Sequence, residues 1–293
     1  MRSRPTWLLL ACLGFLFAAC AAEMPSSAPS DGWSSVQSLD EVAIRYRVTG
    51  SEHGDPTIVF VHGFGSDSSV FDAASAHMAQ RLRVIAIDLP GHGRSGDNRK
   101  NWTMEAYGED VRVVCDAEHV ANAVLVGHSM GGPVILEAAQ AMGGRVLALV
   151  PIDTFHDVDQ HFSDTQIEQV VDLWRKDFAG AAEGMVRGSF HQPIRDPALV
   201  ERVAAQVKAL RPAIGIALLE SMFRSDPTLA LDATTLPVRC LNSAARPTQV
   251  AAGRKHDMRF DVRTVPNVGH YVMLEDPEAF QALLDAAVDE LAR

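Results

Sequence analysis

From residue 42 onward the chain alternates short apolar, largely β-branched runs with longer amphipathic stretches. The short runs predict strands at Val42–Tyr46, Thr57–Val61, Arg83–Ile87, Ala123–Val126, Val146–Pro151, Val238–Leu241 and Asp261–Val265. Between most of them the pattern turns helical, most clearly over Glu105–Glu118, Met130–Ala141 and Pro277–Leu291, where Phe280, Leu283, Leu284, Ala287 and Leu291 recur at helical spacing. Strands and helices in this alternation build an α/β fold with a mostly parallel, doubly wound sheet. One interval breaks the rule: Thr154 to Leu236 shows only amphipathic segments, around Ile167–Phe178, Pro197–Leu210 and Ile214–Phe223. Ligands of open α/β sheets bind beyond the carboxyl ends of the strands, so a helical insertion at this point is expected to lie over the site as a cap.

Ahead of the pattern, Arg2 and Arg4 precede an apolar run from Trp7 to Phe17 that ends in Ala18, Ala19, Cys20, Ala21 and Ala22, the layout of a secretory signal. The run falls short of the roughly 20 residues that a bilayer-spanning helix needs. Leu16-Phe17-Ala18-Ala19-Cys20 resembles a bacterial lipobox, with Phe17 where Leu is usual. That resemblance implies a signal peptide over 1–19 and a lipid on Cys20; cleavage at the small residues with release of a soluble protein is the alternative. Residues 20–32, small, polar and rich in Pro and Ser, suit a flexible tether. The expected organisation is then a first core segment over 33–153, a helical cap over 154–236 and a second core segment over 237–293. The protein would be exported to the periplasm or cell surface and held there through Cys20.

Composition narrows the picture only a little. At 293 residues, with 47% hydrophobic and 22% charged residues, the chain can bury the core of one large domain or two small ones. A formal net charge of −11, more acidic still once Arg2 and Arg4 leave with the signal, repels nucleic acid and anionic lipid headgroups. Beyond the signal only Cys115 and Cys240 remain, on a predicted helix and a predicted strand, so two separate buried hydrophobes are expected rather than a disulfide framework.

The strongest chemical signal is Gly127-His128-Ser129-Met130-Gly131, set between the strand Ala123–Val126 and the next helix. Such a strand-to-helix turn is a nucleophile elbow: it strains the serine backbone, uses glycines two residues to either side to make room, and pushes the hydroxyl of Ser129 out above the sheet. A helix N-terminus beside it favours developing negative charge. Three more segments keep it company: His62-Gly63-Phe64-Gly65 after the strand Thr57–Val61, Asp88-Leu89-Pro90-Gly91-His92-Gly93-Arg94-Ser95 after the following one, and Val268-Gly269-His270 with Leu274-Glu275-Asp276-Pro277 after the last.

In this order the four motifs resemble the α/β-hydrolase superfamily, in particular its capped esterase and peptidase branch, from about residue 40 to the C-terminus. The resemblance implies an α/β-hydrolase fold in which His270 acts as general base and then general acid for Ser129. The backbone N–H groups of Phe64 and Met130 would form the oxyanion hole, each donor contributing about 3 kcal/mol. His62 and His128 are expected to pack or hydrogen-bond locally, and the Asp88–Ser95 loop to shape the edge of the site, with substrate contact by His92 as the alternative. His156, His161 and His191 fall in the cap without the short spacing of a zinc site.

The third catalytic member is where this chain departs from the family pattern. Most relatives carry an Asp in the loop after the strand read here as Val238–Leu241, and this chain has Asn242-Ser243-Ala244-Ala245-Arg246-Pro247-Thr248. The family's other location follows the preceding core strand, where Ile152-Asp153-Thr154 stands. Asp153 is therefore expected to orient His270, with a capping role for it as the alternative. Asp257, in what reads as a surface segment, and Asp261, at the start of a strand, are its competitors.

These residues imply two-step acyl transfer on a small carboxylic ester, with no metal or organic cofactor. A serine at the elbow argues against epoxide hydrolase and haloalkane dehalogenase chemistry, which use Asp there. An aminopeptidase-like amidase, a thioesterase and a carbon–carbon bond hydrolase remain open, as does a ligand-binding envelope protein on a hydrolase scaffold. Of the apolar cap residues, Phe155, Phe162, Leu173, Trp174, Phe178, Met185, Phe190, Met222 and Phe223, most are expected to form cap core rather than line a pocket.

Overall fold

The computed structural model describes residues 32–291. The signal, the lipobox and Cys20 lie outside the described residues. Eight strands form one sheet: β1 (Ser34–Gln37), β2 (Ala43–Gly50), β3 (Thr57–Val61), β4 (Arg83–Asp88), β5 (Ala123–His128), β6 (Val146–Ile152), β7 (Arg239–Ser243) and β8 (Asp261–Val265). Their order is β1-β2-β4-β3-β5-β6-β7-β8. The pairs β1–β2 and β2–β4 are antiparallel and all the others parallel. The helices are α1 (Asp72–Met78), α2 (Met104–Ala117), α3 (Gly131–Met142), α4 (Asp164–Lys176), α5 (Phe178–Ser189), α6 (Pro197–Ala209), α7 (Pro212–Arg224), α8 (Pro227–Ala233), α9 (Val250–His256), α10 (Val272–Glu275) and α11 (Pro277–Leu291).

Every residue of β3 and β5 is buried, which is why these strands read as unbroken apolar runs: helices cover both faces of the sheet. From β3 the chain steps to β4 on one side, then crosses back to β5 on the other. Right-handed crossovers therefore send α1 to one face, where α11 joins it, and α2 and α3 to the opposite face. The reversal opens a crevice at the carboxyl ends of β3 and β5. Parallel register brings the strand ends level there, with Val61 opposite Gly127, His128 opposite Ile152, Ile152 opposite Leu241 and Ser243 opposite Val265.

Between β6 and β7 the described chain carries α4 to α8 and no strand. Each start is written locally. A capping box joins Ser163 and Gln166 at α4, and Asp177, Asp196 and Asp226 cap α5, α6 and α8, each such cap contributing about 1 kcal/mol. Pro197, Pro212 and Pro227 open α6, α7 and α8 where a missing N–H costs nothing. Cys115 on α2 and Cys240 on β7 are both buried and unpaired by disulfide.

The differences from the sequence pattern have simple causes. β2 continues to Gly50 instead of stopping at Tyr46, because Arg47 to Gly50 pair with β4. The edge strand β1 is polar and gives no apolar signal. Helix α3 begins at Gly131, since Met130 is its N-cap.

Candidate active site

The site is built on the strand ends. After β5 the chain turns through Ser129 with φ of +53°, a left-handed conformation costing about 1–3 kcal/mol for a side-chain-bearing residue. The Ser129 amide donates to Ile152 O at 2.9 Å and pins the turn to β6. A Cβ on Gly127 would lie 2.2 Å from Gly131 O, and one on Gly131 would lie 2.4 Å from Val61 O. The elbow can close only with glycine at both positions, which explains the motif.

The turn after β3 lies against the elbow, for a Cβ on Gly63 would meet the Ser129 Cβ at 3.1 Å. Among the described residues neither the Phe64 nor the Met130 amide donates to a protein backbone group. Two buried histidines hold this turn. His62 accepts the Leu89 amide on Nε2 (3.0 Å) and faces Gly63 O through Nδ1 (2.9 Å). His92 accepts the Gly65 amide on Nε2 (3.1 Å) and faces Pro90 O through Nδ1 (3.1 Å). Each ring must keep Nε2 bare to accept and Nδ1 protonated to donate, so both are neutral. Burial drives both below the usual imidazole value, His92 to about 3 with help from neighbouring His62. His92 thus braces the turn that carries Phe64, and it lines neither cavity at Ser129.

His270 and Asp153 meet from positions 117 residues apart in the chain. Asp153 follows β6 directly with φ of +43°, and its Oδ2 lies 2.6 Å from His270 Nδ1 while its Oδ1 accepts the Ser243 amide at 2.7 Å. His156, three residues on, turns Nε2 toward Oδ1 at 3.5 Å. Burial by itself would raise the Asp153 carboxyl; the His156 and His270 imidazoles and the Ser243 amide outweigh it and hold the group well below the ordinary carboxylate range. Asn242, standing where an acid is absent, fastens the same loop: its Nδ2 donates to Thr154 O (3.0 Å) and Thr248 Oγ1 (2.8 Å), and its Oδ1 accepts the Thr154 amide (3.3 Å). Among the described residues no hydrogen bond joins Ser129 Oγ to His270, although both line one cavity.

Asp257 is not the surface residue that its basic neighbours suggest. It is 6% exposed, with Oδ1 accepting the Arg259 amide at 2.9 Å, because the chain after α9 folds inward to seat Phe260 in the core. Asp261 pairs with Arg239 and Arg263. Neither competitor contacts His270.

Comparison with known proteins agrees with the topology. The Alpha/beta hydrolase family profile matches residues 58–283, most of the chain. The chain belongs to the α/β-hydrolase family. An uncharacterised protein of Mycobacterium tuberculosis is 36% identical over 94 residues, 32% of this chain, and the match spans only 27% of that relative's length. A strigolactone esterase of Pisum sativum is 25% identical over 268 residues, 85% of this chain and 97% of the relative. Among solved structures, a thermophilic esterase from Thermogutta terrifontis superposes with a TM-score of 0.76 at 23% identity, over 89% of this chain and 99% of that one, a likeness of fold.

In this α/β hydrolase two cavities share Ser129, Asp153, Met222, Arg246 and His270. One, of about 450 Å³, runs beneath α5 along Met185, Ser189, Phe190, His191 and Gln192. The other, of about 240 Å³, is walled by Pro133, Phe155, Phe162, Phe223 and Pro227. The apolar cap residues are thus wall as well as core. Phe155, Phe162, Met185, Phe190, Met222 and Phe223 face the cavities, Leu173 is 63% exposed, and Phe155, Phe190, Trp174 and Phe178 are buried in the core. Amphipathic cap helices turn part of their apolar side to the crevice because nothing else covers it. Trp174 also meets the Phe64 ring edge-on at 5.5 Å, so α4 steadies the turn after β3.

The roof is stitched to the histidine loop. His270 N donates to Ser189 O (2.6 Å), and the Glu275 carboxylate accepts the amides of Gly269 (2.9 Å) and His191 (2.9 Å). Gly269 is demanded by this approach, as a Cβ there would lie 2.3 Å from Ser189 O. Below it, His128 lies 3.0 Å from His270 O through Nε2, and burial, then the His270 charge, push its imidazole down to about 3. His156, Asn242 and Ser243 serve the site without a motif of their own, whereas Glu275 lies in the Leu274-Glu275-Asp276-Pro277 segment, where the sequence pattern marks no separate role for it. Among the described residues no cluster of three or more His, Cys, Asp or Glu is arranged to hold a metal, and no helix is long and apolar enough to cross a membrane.

Proposed function

We propose that the protein is a serine hydrolase that cleaves a carboxylic ester through a Ser129–His270–Asp153 triad. The observation that carries it is the 2.6 Å contact between His270 Nδ1 and Asp153 beside Ser129, in a cavity that all three line. With Nδ1 committed to Asp153, Nε2 is the nitrogen left for the serine. Ser129 Oγ attacks the carbonyl as His270 takes its proton, and the oxyanion rests on the Phe64 and Met130 amides. The imidazolium, stabilised by anionic Asp153, gives the proton to the leaving alcohol. Water, deprotonated by His270 in turn, then releases the acid from Ser129. The serine and histidine tighten together once substrate fills the cavity, as hydrogen bonds of resting active sites commonly do. The esterase names of the relatives favour an ester over an amide. A leader of lipoprotein pattern adds export and a lipid on Cys20, for which mass analysis of the mature N-terminus is the test.

The deciding experiment labels the purified protein with a fluorophosphonate and follows hydrolysis of p-nitrophenyl esters of graded acyl length. Labelling and turnover in wild type, both lost in Ser129→Ala, support the assignment. A well-folded wild type that neither labels nor turns over any ester removes it and favours a ligand-binding protein.

A further inference from the structure

Arg246 stands on the loop after β7, in the segment that carries no acid, and its side chain lines both cavities together with Ser129 and His270. Several arginines of the roof and of nearby segments have acidic partners, among them Arg175 with Glu220, Arg187 with Glu183, Arg211 with Asp97, Arg224 with Asp164 and Arg263 with Asp261. Arg195 donates instead to Asn267 O, and neither it nor Arg202, which has no acidic partner among the described residues, lines the cavities at Ser129. Arg246 forms no ion pair and no side-chain hydrogen bond among the described residues. The two carboxylates that line the cavities leave it unpaired. Asp153 is occupied by His270 and the Ser243 amide, with His156 alongside, and Asp157 accepts the Asp159 amide at 3.2 Å. In a chain of net charge −11, an uncommitted guanidinium beside a crevice of mixed polar and apolar lining is the feature that would draw an anion to the nucleophile.

Resting on the hydrolase assignment above, we propose that Arg246 binds a carboxylate of the substrate. The preferred substrates are then esters that carry a second, ionised carboxyl group, such as half-esters of short dicarboxylic acids. A guanidinium presents parallel N–H donors in the spacing of the two carboxylate oxygens. Because Arg246 borders both cavities where they meet, the bound carboxylate lies at their junction, close to the carbonyl under attack. Binding energy gathered there orients the ester without touching the reacting bond.

Two arms test this. In the first, p-nitrophenyl esters of succinic, glutaric and adipic acid are compared, each with its distal carboxyl free or methylated, in wild type, Arg246→Gln and Arg246→Glu. A charge-assisted bidentate contact predicts that wild type favours at least one free acid over its methyl ester by about tenfold in kcat/KM, mainly through KM. The preference vanishes in Arg246→Gln and inverts in Arg246→Glu. A ratio near one throughout in wild type, or a preference that survives Arg246→Gln, overturns the proposal. In the second arm calorimetry compares monomethyl and dimethyl glutarate binding to Ser129→Ala with and without Arg246→Gln. Equal affinities for the two ligands overturn the proposal whatever the turnover data. Arg246-dependent preference in this arm, with no ester hydrolysed by wild type, overturns the hydrolase assignment instead and leaves the carboxylate site standing.

Discussion

The floor and the roof of the crevice are made by different means. On the floor, Ser129, Asp153 and the turn bearing Phe64 leave the sheet within a residue or two of paired strand ends, and backbone ladders fix their positions. Their supports are buried: His62, His92 and His128 as neutral rings, and the Ser243 amide on Asp153. The roof helices start on their own caps and meet one another through amphipathic faces and exposed ion pairs. Several of its apolar residues serve as cavity wall. The floor therefore sets which reaction is performed, and the roof, with the Arg246 loop, sets on what. A substitution in the floor should cost turnover, and one in the roof should change affinity or nothing.

The sharpest way to break this division is to remove one floor charge. Asp153→Asn keeps the shape and is expected to lower kcat by about 10⁴, the scale for a triad acid that orients its histidine. Asp257→Asn, buried in the same half of the chain but bound to Arg259, should leave kcat unchanged. Steady-state kinetics of the two variants checks the assignment, and the reverse pattern would refute it.

Glycines give the next contrast. Gly269→Ala forces the histidine loop off the roof backbone and should lower kcat by about 10², the cost of displacing a catalytic group by about an ångström. Gly184→Ala, in the exposed middle of α5 with open space around it, should instead add about 0.5–1 kcal/mol of stability by helix propensity. Chemical denaturation and turnover of both variants separate the two regions.

Acid distinguishes them more gently. Folded His92 and His128 stay neutral down to about pH 3, whereas their unfolded forms bind a proton near pH 6.5, the model value. Between those limits the unfolded state holds more protons, so stability declines as the pH falls below about 6.5. Thermal midpoints should drop accordingly, and His92→Gln should flatten the slope; an unchanged slope would remove His92 as a cause. The smallest effect belongs to the roof surface: Arg224→Ala breaks an exposed pair with Asp164 and should shift neither the thermal midpoint nor kcat/KM measurably.

The same division decides what could be read from the sequence. Strands β3 and β8 and helix α11 have the limits the pattern predicts, since turn residues bracket their apolar positions. Helix α5 escaped notice because Gly180, Gly184 and Gly188 depress its propensity; it forms on the Asp177 cap and on packing against α6. Edge strand β1 needs only one neighbour and so carries little apolar pattern. In the site, Ser129 and His270 stand out because backbone crowding there demands glycine beside them, and glycine spacing is visible in a sequence. Asp153 has no such mark; only the acid-free segment after β7, together with the family's other acid location after the preceding strand, points to it. Asn242 and Ser243 carry no mark for a physical reason: they act on residues that folding brings beside them, the Ser243 amide on Asp153, 90 residues away along the chain, and the Asn242 side chain on Thr154.

One carboxylate ties the two regions together. Glu275 holds an amide of the histidine loop with one oxygen and an amide of the roof with the other. The roof is consequently not an exchangeable module. A chimera that borrows α4–α8 from another hydrolase would inherit new walls but leave Glu275 half-employed and the base loop slack, so altered selectivity in such a graft would arrive together with a slower enzyme. Changing the diet of this protein is better attempted by substituting single wall residues than by transplanting the lid.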